Sequence, residues 1–117
     1  MPIRKLALSE TVFERSPGQD GDVFTANMID ERHGCPVTIG FGRYGANQTL
    51  TERMAVDDTM IALEGNLSMS TDDLSVTAGP GDMVNMPKGE TVTIRAHGDG
   101  AVTAYVTYPH WKEARTD

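Results

Sequence analysis

Histidine is scarce in this chain. There are three in 117 residues, and each stands beside a glycine or a proline: His33-Gly34, His97-Gly98 and Pro109-His110. A tightly held transition metal wants three or four imidazole, thiolate or carboxylate donors brought together, and these positions lie far apart. Cysteine is scarcer still. Cys35 is alone, so no intramolecular disulfide and no CxxC clip can form, which fits a reducing, cytoplasmic setting. Basic residues number 10 against 17 acidic ones, for a formal charge of -7, and none of their runs exceeds a pair. Phosphate backbones and anionic headgroups attract clustered Lys and Arg, so neither nucleic acid nor membrane is expected as a partner. No apolar run is long enough for a membrane span, and the opening Met-Pro-Ile-Arg-Lys-Leu-Ala-Leu lacks the core of a signal peptide.

What fills the chain instead is turn chemistry between short β-rich segments. Twelve glycines and six prolines recur along its length, and the segments between them are rich in Val, Thr, Ile and Tyr. The pattern predicts strands over 22–30, 36–44, 48–54, 59–64, 66–70, 74–77, 82–86, 91–95 and 101–108. Turns are predicted at 16–21, His33-Gly34, Glu64-Gly65-Asn66, 71–73, 78–81, 87–89 and 97–100. Several segments alternate apolar and polar residues, as in Thr91-Val-Thr-Ile-Arg95 and Leu67-Ser-Met-Ser70. That period of two belongs to sheets with one dry and one wet face. The expectation is one all-β domain: an N-terminal strand or arm over 1–20, a barrel over 21–108, and a tail over 109–117. Within the arm, 2–13 reads as a strand that packs on the barrel or exchanges with a second copy; within the tail, 112–117 reads as helical or frayed.

Two segments carry more than pattern. Gly81-Asp-Met-Val-Asn-Met-Pro-Lys-Gly89 turns, crosses and turns again, with proline presetting one torsion and glycine supplying another. Upstream, Gly45 to Gly65 places Glu52, Met54, Asp57 and Asp58 ahead of Ala62-Leu-Glu-Gly65. Together these segments resemble the paired motifs of the cupin superfamily, whose fold is a double-stranded β-helix or jelly-roll barrel. The resemblance puts the first motif's histidine pair on Glu52 and Met54 in one register, or on Thr51 and Arg53 in the other. Asp58 falls at the acidic position and Val92 replaces the histidine of the second motif. No metal site is therefore expected; if a cation were held at all, Glu52 and Asp58 are the donors left.

Within the cupins, the chain resembles the EutQ family of ethanolamine utilization and small stand-alone EutQ-like barrels. The shared features are the Asp57-Asp58 doublet without a histidine pair, Ala62-Leu-Glu-Gly65, Gly81–Gly89 with its Pro-Lys-Gly, and Val106-Thr-Tyr-Pro-His-Trp111. The resemblance implies acetate kinase activity, with ATP, magnesium and acetate as ligands. No phosphate-cradling glycine loop opening a helix stands in the sequence to support it. The family's long segment before the barrel has no counterpart here.

Three readings of function follow. In the first, the barrel binds a small molecule of amine or short-chain acid metabolism. Its floor is Met54, Met60, Ala62, Val92 and Ile94; Glu52 and Asp58 stand near the mouth, and Tyr44, Arg53 and Tyr105 add polar handles. In the second, Glu52 and Asp58 are catalytic: two close carboxylates in an apolar barrel repel, one pKa rises, and one acid holds a proton near neutral pH. In the third, the barrel is a structural or assembly module. A homodimer, disposing of sheet edges, is expected in all three. Each histidine reads as a surface or capping residue. The C-terminal segment around His110 is placed to fold over the barrel opening.

Overall fold

The structure, a computed structural model, describes residues 3–16 and 21–111. Its strands are β1 (Glu14–Arg15), β2 (Val23–Ile29), β3 (Thr38–Tyr44), β4 (Thr49–Arg53), β5 (Asp57–Ser70), β6 (Ser75–Ala78), β7 (Met83–Met86) and β8 (Thr91–Tyr108). All pair antiparallel in the order β1-β2-β3-β8-β5-β6, with β4 added on β8 and β7 on β5. The fold is the jelly roll expected from the pattern. No helix among the described residues is long and apolar enough to cross a membrane.

Two strands define the architecture. β5 and β8 run 14 and 18 residues, where about 5–6 is ordinary, because each serves both halves of a sheet folded on itself. The first half of β8 pairs with β4 and with the second half of β5; its second half pairs with β3 and the first half of β5. Buried positions on β5 are Asp58, Met60 and Ala62, then Leu67 and Met69. On β8 they are Val92, Ile94 and Ala96, then Ala101, Thr103, Tyr105 and Thr107. In both strands the inward parity flips from even to odd. A one-residue slip would otherwise turn the second half of each strand inside out.

The flip occurs at Gly65 and Gly100, with φ of 74° and 76°, left-handed torsions that side chains resist. The two backbones touch there. A Cβ on Gly65 would stand 2.1 Å from the Gly100 carbonyl oxygen, and the ladder shifts register between Ala62 and Glu64 and again between Gly65 and Leu67. These are bulges that bend a continuous sheet. The turns expected at Glu64-Gly65-Asn66 and 97–100 are therefore bends within single strands: glycine signals a sharp torsion, and the partner strand decides whether the ladder breaks.

The N-terminal expectation also changes. Residues 3–13 form no strand; a single 3-10 turn, Leu8–Glu10, is closed by the Thr11 hydroxyl donating to the Ala7 carbonyl (2.9 Å). The ladder begins only at Glu14–Arg15 against Phe24 and Thr25. Phe13 is held by the Arg43 guanidinium, 5.0 Å from its ring centre, so the arm docks by a side-chain contact instead of a backbone ladder. Residues 1–2, 17–20 and 112–117 lie outside the described residues, and with them most of the turn predicted over 16–21 and the tail predicted as helical or frayed.

Candidate functional site

A cavity of about 440 Å³ is lined by residues of β2, β3, β4, β5 and β8. That size suits a small organic molecule. β4 reaches it by simple alternation: Leu50 and Glu52 face inward, while Thr51 and Arg53 are exposed on the other face. This orientation settles the two registers, since Glu52 and Met54 line the cavity. Met54 is pinned beyond the strand end, its N–H donating to the Glu90 carbonyl and its carbonyl accepting from Gly89, both at 2.8 Å.

The acidic doublet divides its labour by the same alternation. Asp57 is exposed, and its Oδ1 accepts from the Lys88 backbone N–H at 2.9 Å, fastening the Pro-Lys-Gly turn to β5. Asp58 points inward and is 8% exposed. Register places it beside Thr107 on β8 and Met86 on β7. Its Oδ1 is buried without a hydrogen-bond partner, and so are the hydroxyls of Thr107 and Thr103. Burial, aided by the Glu52 charge, pushes the Asp58 carboxyl from its usual range up to about 7. Among the described residues, an orphaned buried carboxyl of this kind is costly.

Two phenols complete the polar set. The Tyr105 hydroxyl donates to Asn27 Oδ1 at 2.5 Å. Its ring lies over Gly40, where a Cβ would come within 2.6 Å of the hydroxyl oxygen, so glycine at that position is what admits it. Burial first, then the Asp58 charge, pushes the Tyr105 hydroxyl upward; Tyr44 moves the same way, from burial, then Asp58, then Glu52. Both remain neutral donors at ordinary pH.

Of the residues singled out in the sequence, Glu52, Asp58, Tyr44, Met54, Met60, Tyr105 and Ile94 border the cavity. Val92 and Ala62 are buried in the core but are not among its lining residues. Arg53 points away, as the period of two requires once Glu52 faces in. Thr25, Asn27 and Trp111 line the cavity and were not anticipated. Thr25 and Asn27 share parity with buried Val23 on β2, a signal that was readable; their polarity disguised it. Trp111 is brought in by its neighbour. His110 is buried, against the expectation of a surface or capping residue, with Nε2 donating to the Cys35 carbonyl (2.8 Å) and Nδ1 2.6 Å from the Thr38 hydroxyl. Because a carbonyl only accepts, Nε2 carries the proton, and in the neutral ring Thr38 donates to Nδ1. His33 caps the turn after Asp30, accepting from its N–H, and His97 meets the Ser68 hydroxyl at 2.7 Å.

Among the described residues, Glu52 and Asp58 are thus the only carboxylates on the cavity lining, and no set of three or more His, Cys, Asp or Glu assembles that could hold a metal ion. Among the described residues, the cavity lining supplies two acids and no Lys, Arg or His for the phosphate oxygens of the magnesium and ATP that the family resemblance implies, the cations around which phosphoryl-transfer sites are built.

The family model described as ethanolamine utilisation protein EutQ matches residues 11–113. The chain belongs to the EutQ family. A solved structure of a protein of unknown function from Rhizobium leguminosarum is 56% identical, over 94% of this chain and 100% of that one, with a TM-score of 0.80. The Clostridium difficile EutQ protein is 22% identical, over 91% and 81%, with a TM-score of 0.69. An RmlC-like cupin from Shewanella frigidimarina is 10% identical, over 96% of each chain, at 0.74. The last two speak to fold alone, and the fold is the cupin barrel. No curated protein matches this sequence.

Proposed function

We propose that this EutQ-family barrel binds a small organic molecule in its cavity, with Asp58 as the central polar contact and without a histidine-bound metal. The observation that carries the reading is the Asp58 carboxyl: buried, lacking a partner at Oδ1, and bordering a cavity of about 440 Å³. A folded protein tolerates such a group where a ligand supplies the missing partner. The test is a thermal-shift and calorimetric screen of small amines, alcohols and acids, since a ligand for the folded state raises Tm. Hits that shift the wild type and not Asp58→Asn support the site; hits that shift both equally sink it.

A catalytic reading is favoured by the same carboxyl. An acid held at about 7 both gives and takes protons near neutral pH, as general acid-base work requires. Carboxyl NMR titration checks its premise: a midpoint in the ordinary aspartate range would remove it.

The homodimer is proposed as well. β6 ends the sheet, and Leu74 beside it is 65% exposed with Val76 partly so, an edge of the kind that pairs with another copy. Light scattering of the purified protein decides this, a monomer mass overturning it.

A further inference from the structure

We infer that His110 is a positioning residue: its two buried hydrogen bonds seat Trp111 as a wall of the cavity and so set how tightly a ligand is held. This rests on the cavity-binding reading and adds to it the device that shapes the site.

β8 ends at Tyr108, which pairs with Asp57 on β5. Three residues later Trp111 borders the cavity and packs on the core cluster that includes Val23, Tyr44, Met54 and Met60. Between the two, His110 ties the chain to distant parts of the sequence. Its Nε2 donates to the Cys35 carbonyl at 2.8 Å, and Thr38, the first residue of β3, donates to its Nδ1 at 2.6 Å. The end of one strand is thereby clasped to the start of another.

The clasp uses the whole hydrogen-bonding capacity of the ring. A neutral imidazole offers one donor and one acceptor, and here a carbonyl takes the first and a hydroxyl fills the second. His110 is 5% exposed and Thr38 2%, so water replaces neither partner unless the segment opens. An apolar side chain would serve for packing alone at lower cost. A ring bonded at both nitrogens also fixes its own plane, and with it the direction in which the next residue leaves.

The same row of the sheet carries the clasp and the buried carboxyl. Thr38 stands opposite Thr107, and Thr107 opposite Asp58, across β3, β8 and β5; all three are buried. The anchor of Trp111 and the central polar contact of the site are thus mounted side by side. Leu50, Met54, Met60 and Ile94 are apolar lining residues, and an indole held among them adds a large, rigid apolar contact for the body of a ligand.

Trp111 is the single tryptophan of the chain, so its fluorescence reports this wall directly. The experiment pairs acrylamide quenching of Trp111 with titration calorimetry of n-hexanol, a neutral probe. Thr38→Val nearly keeps the side-chain shape and removes the hydroxyl; Thr38→Ser keeps the hydroxyl. In Thr38→Val the quenching constant rises about threefold as the segment opens. n-Hexanol then binds about tenfold more weakly, the equivalent of one buried hydrogen bond left unmade. His110→Ala does the same, Thr38→Ser stays close to the wild type in both readouts, and circular dichroism confirms the sheet in each. Should Thr38→Val and His110→Ala fail to fold, the wild type decides: saturating n-hexanol protects Trp111 from acrylamide, and unchanged quenching overturns the wall. Unchanged quenching in a folded Thr38→Val overturns the clasp and leaves the cavity reading standing. Quenching that rises while n-hexanol affinity holds overturns Trp111 as a wall of the binding site. A wild type that does not bind n-hexanol overturns the cavity reading, and the role in binding with it, whatever the quenching shows.

Discussion

The same two strands build two unlike halves of this barrel. On one side of the Gly65–Gly100 bend, β5 and β8 contribute Leu67, Met69, Val92, Ile94 and Ala96, every one apolar and buried. On the other side they contribute Asp58, Thr103, Tyr105 and Thr107 among the apolar Met60, Ala62 and Ala101, and there lie the buried side-chain atoms that lack partners among the described residues: Asp58 Oδ1 and the hydroxyls of Thr103 and Thr107. One half is packed for stability. The other carries unmet hydrogen-bonding capacity beside a cavity. The difference teaches that the cost of the site is borne locally, beside an apolar half that reaches the cavity only through Ile94.

The largest test of that contrast is Asp58→Asn. The folded Asp58 titrates at about 7 against an ordinary 3.8, so between those values the native state holds a proton that the unfolded chain has released. Stability therefore falls as pH rises through that window, by up to about 4 kcal/mol at its upper end. Denaturant unfolding at a series of pH values should show the slope in the wild type and its absence in the variant. Above about pH 7 the variant is then the more stable protein, and the poorer binder. A wild-type curve flat across the window would mean that Asp58 is not desolvated.

Next comes Leu67→Ala, in the packed half. Leu67 is fully buried, and emptying such a site costs about 3 kcal/mol. Urea titration should register that loss at every pH, with binding of any cavity ligand unchanged. If binding falls as well, the two halves are not independent. Tyr105→Phe is a smaller change. It removes the hydroxyl that donates to Asn27, at about 1 kcal/mol of stability, and leaves the ring over Gly40. Arg53→Gln should do least. Its side chain is exposed on the outer face of β4, so stability stays within about 0.5 kcal/mol and ligand affinity does not move; a tenfold loss would return Arg53 to the site.

Much of the barrel was legible along the chain because its cues are local. The turn at Gly81 has φ of 94° and that at Gly89 97°, torsions that the glycines of the motif announced, and Asp82 accepts from the Gly79 N–H as a turn acid should. The pocket reading put Met60 on the barrel floor and Tyr44 and Tyr105 beside it as polar handles, and all three border the cavity. Where local cues failed, the deciding partner was distant. Glycine at 65 and 100 looked like chain reversal, yet each strand continues because the other bends with it. His110 looked like a surface residue, and Thr38 and Cys35, more than seventy positions away, bury it.

Residue order was thus sufficient for an all-β barrel, for its motif turns, and for a pair of acids in place of imidazoles, since torsional preference and side-chain chemistry are properties of a residue and its immediate neighbours. The motif resemblance singled out Asp58 of the Asp57-Asp58 doublet, but residue order held no physical reason why Asp58 and not Asp57 would lose its water. Asp57 stays outside, bonded to the turn at Lys88; Asp58 is closed in by Thr107, Met86 and Glu52 from three other strands. Desolvation belongs to the surroundings, and only the folded sheet brings those surroundings together.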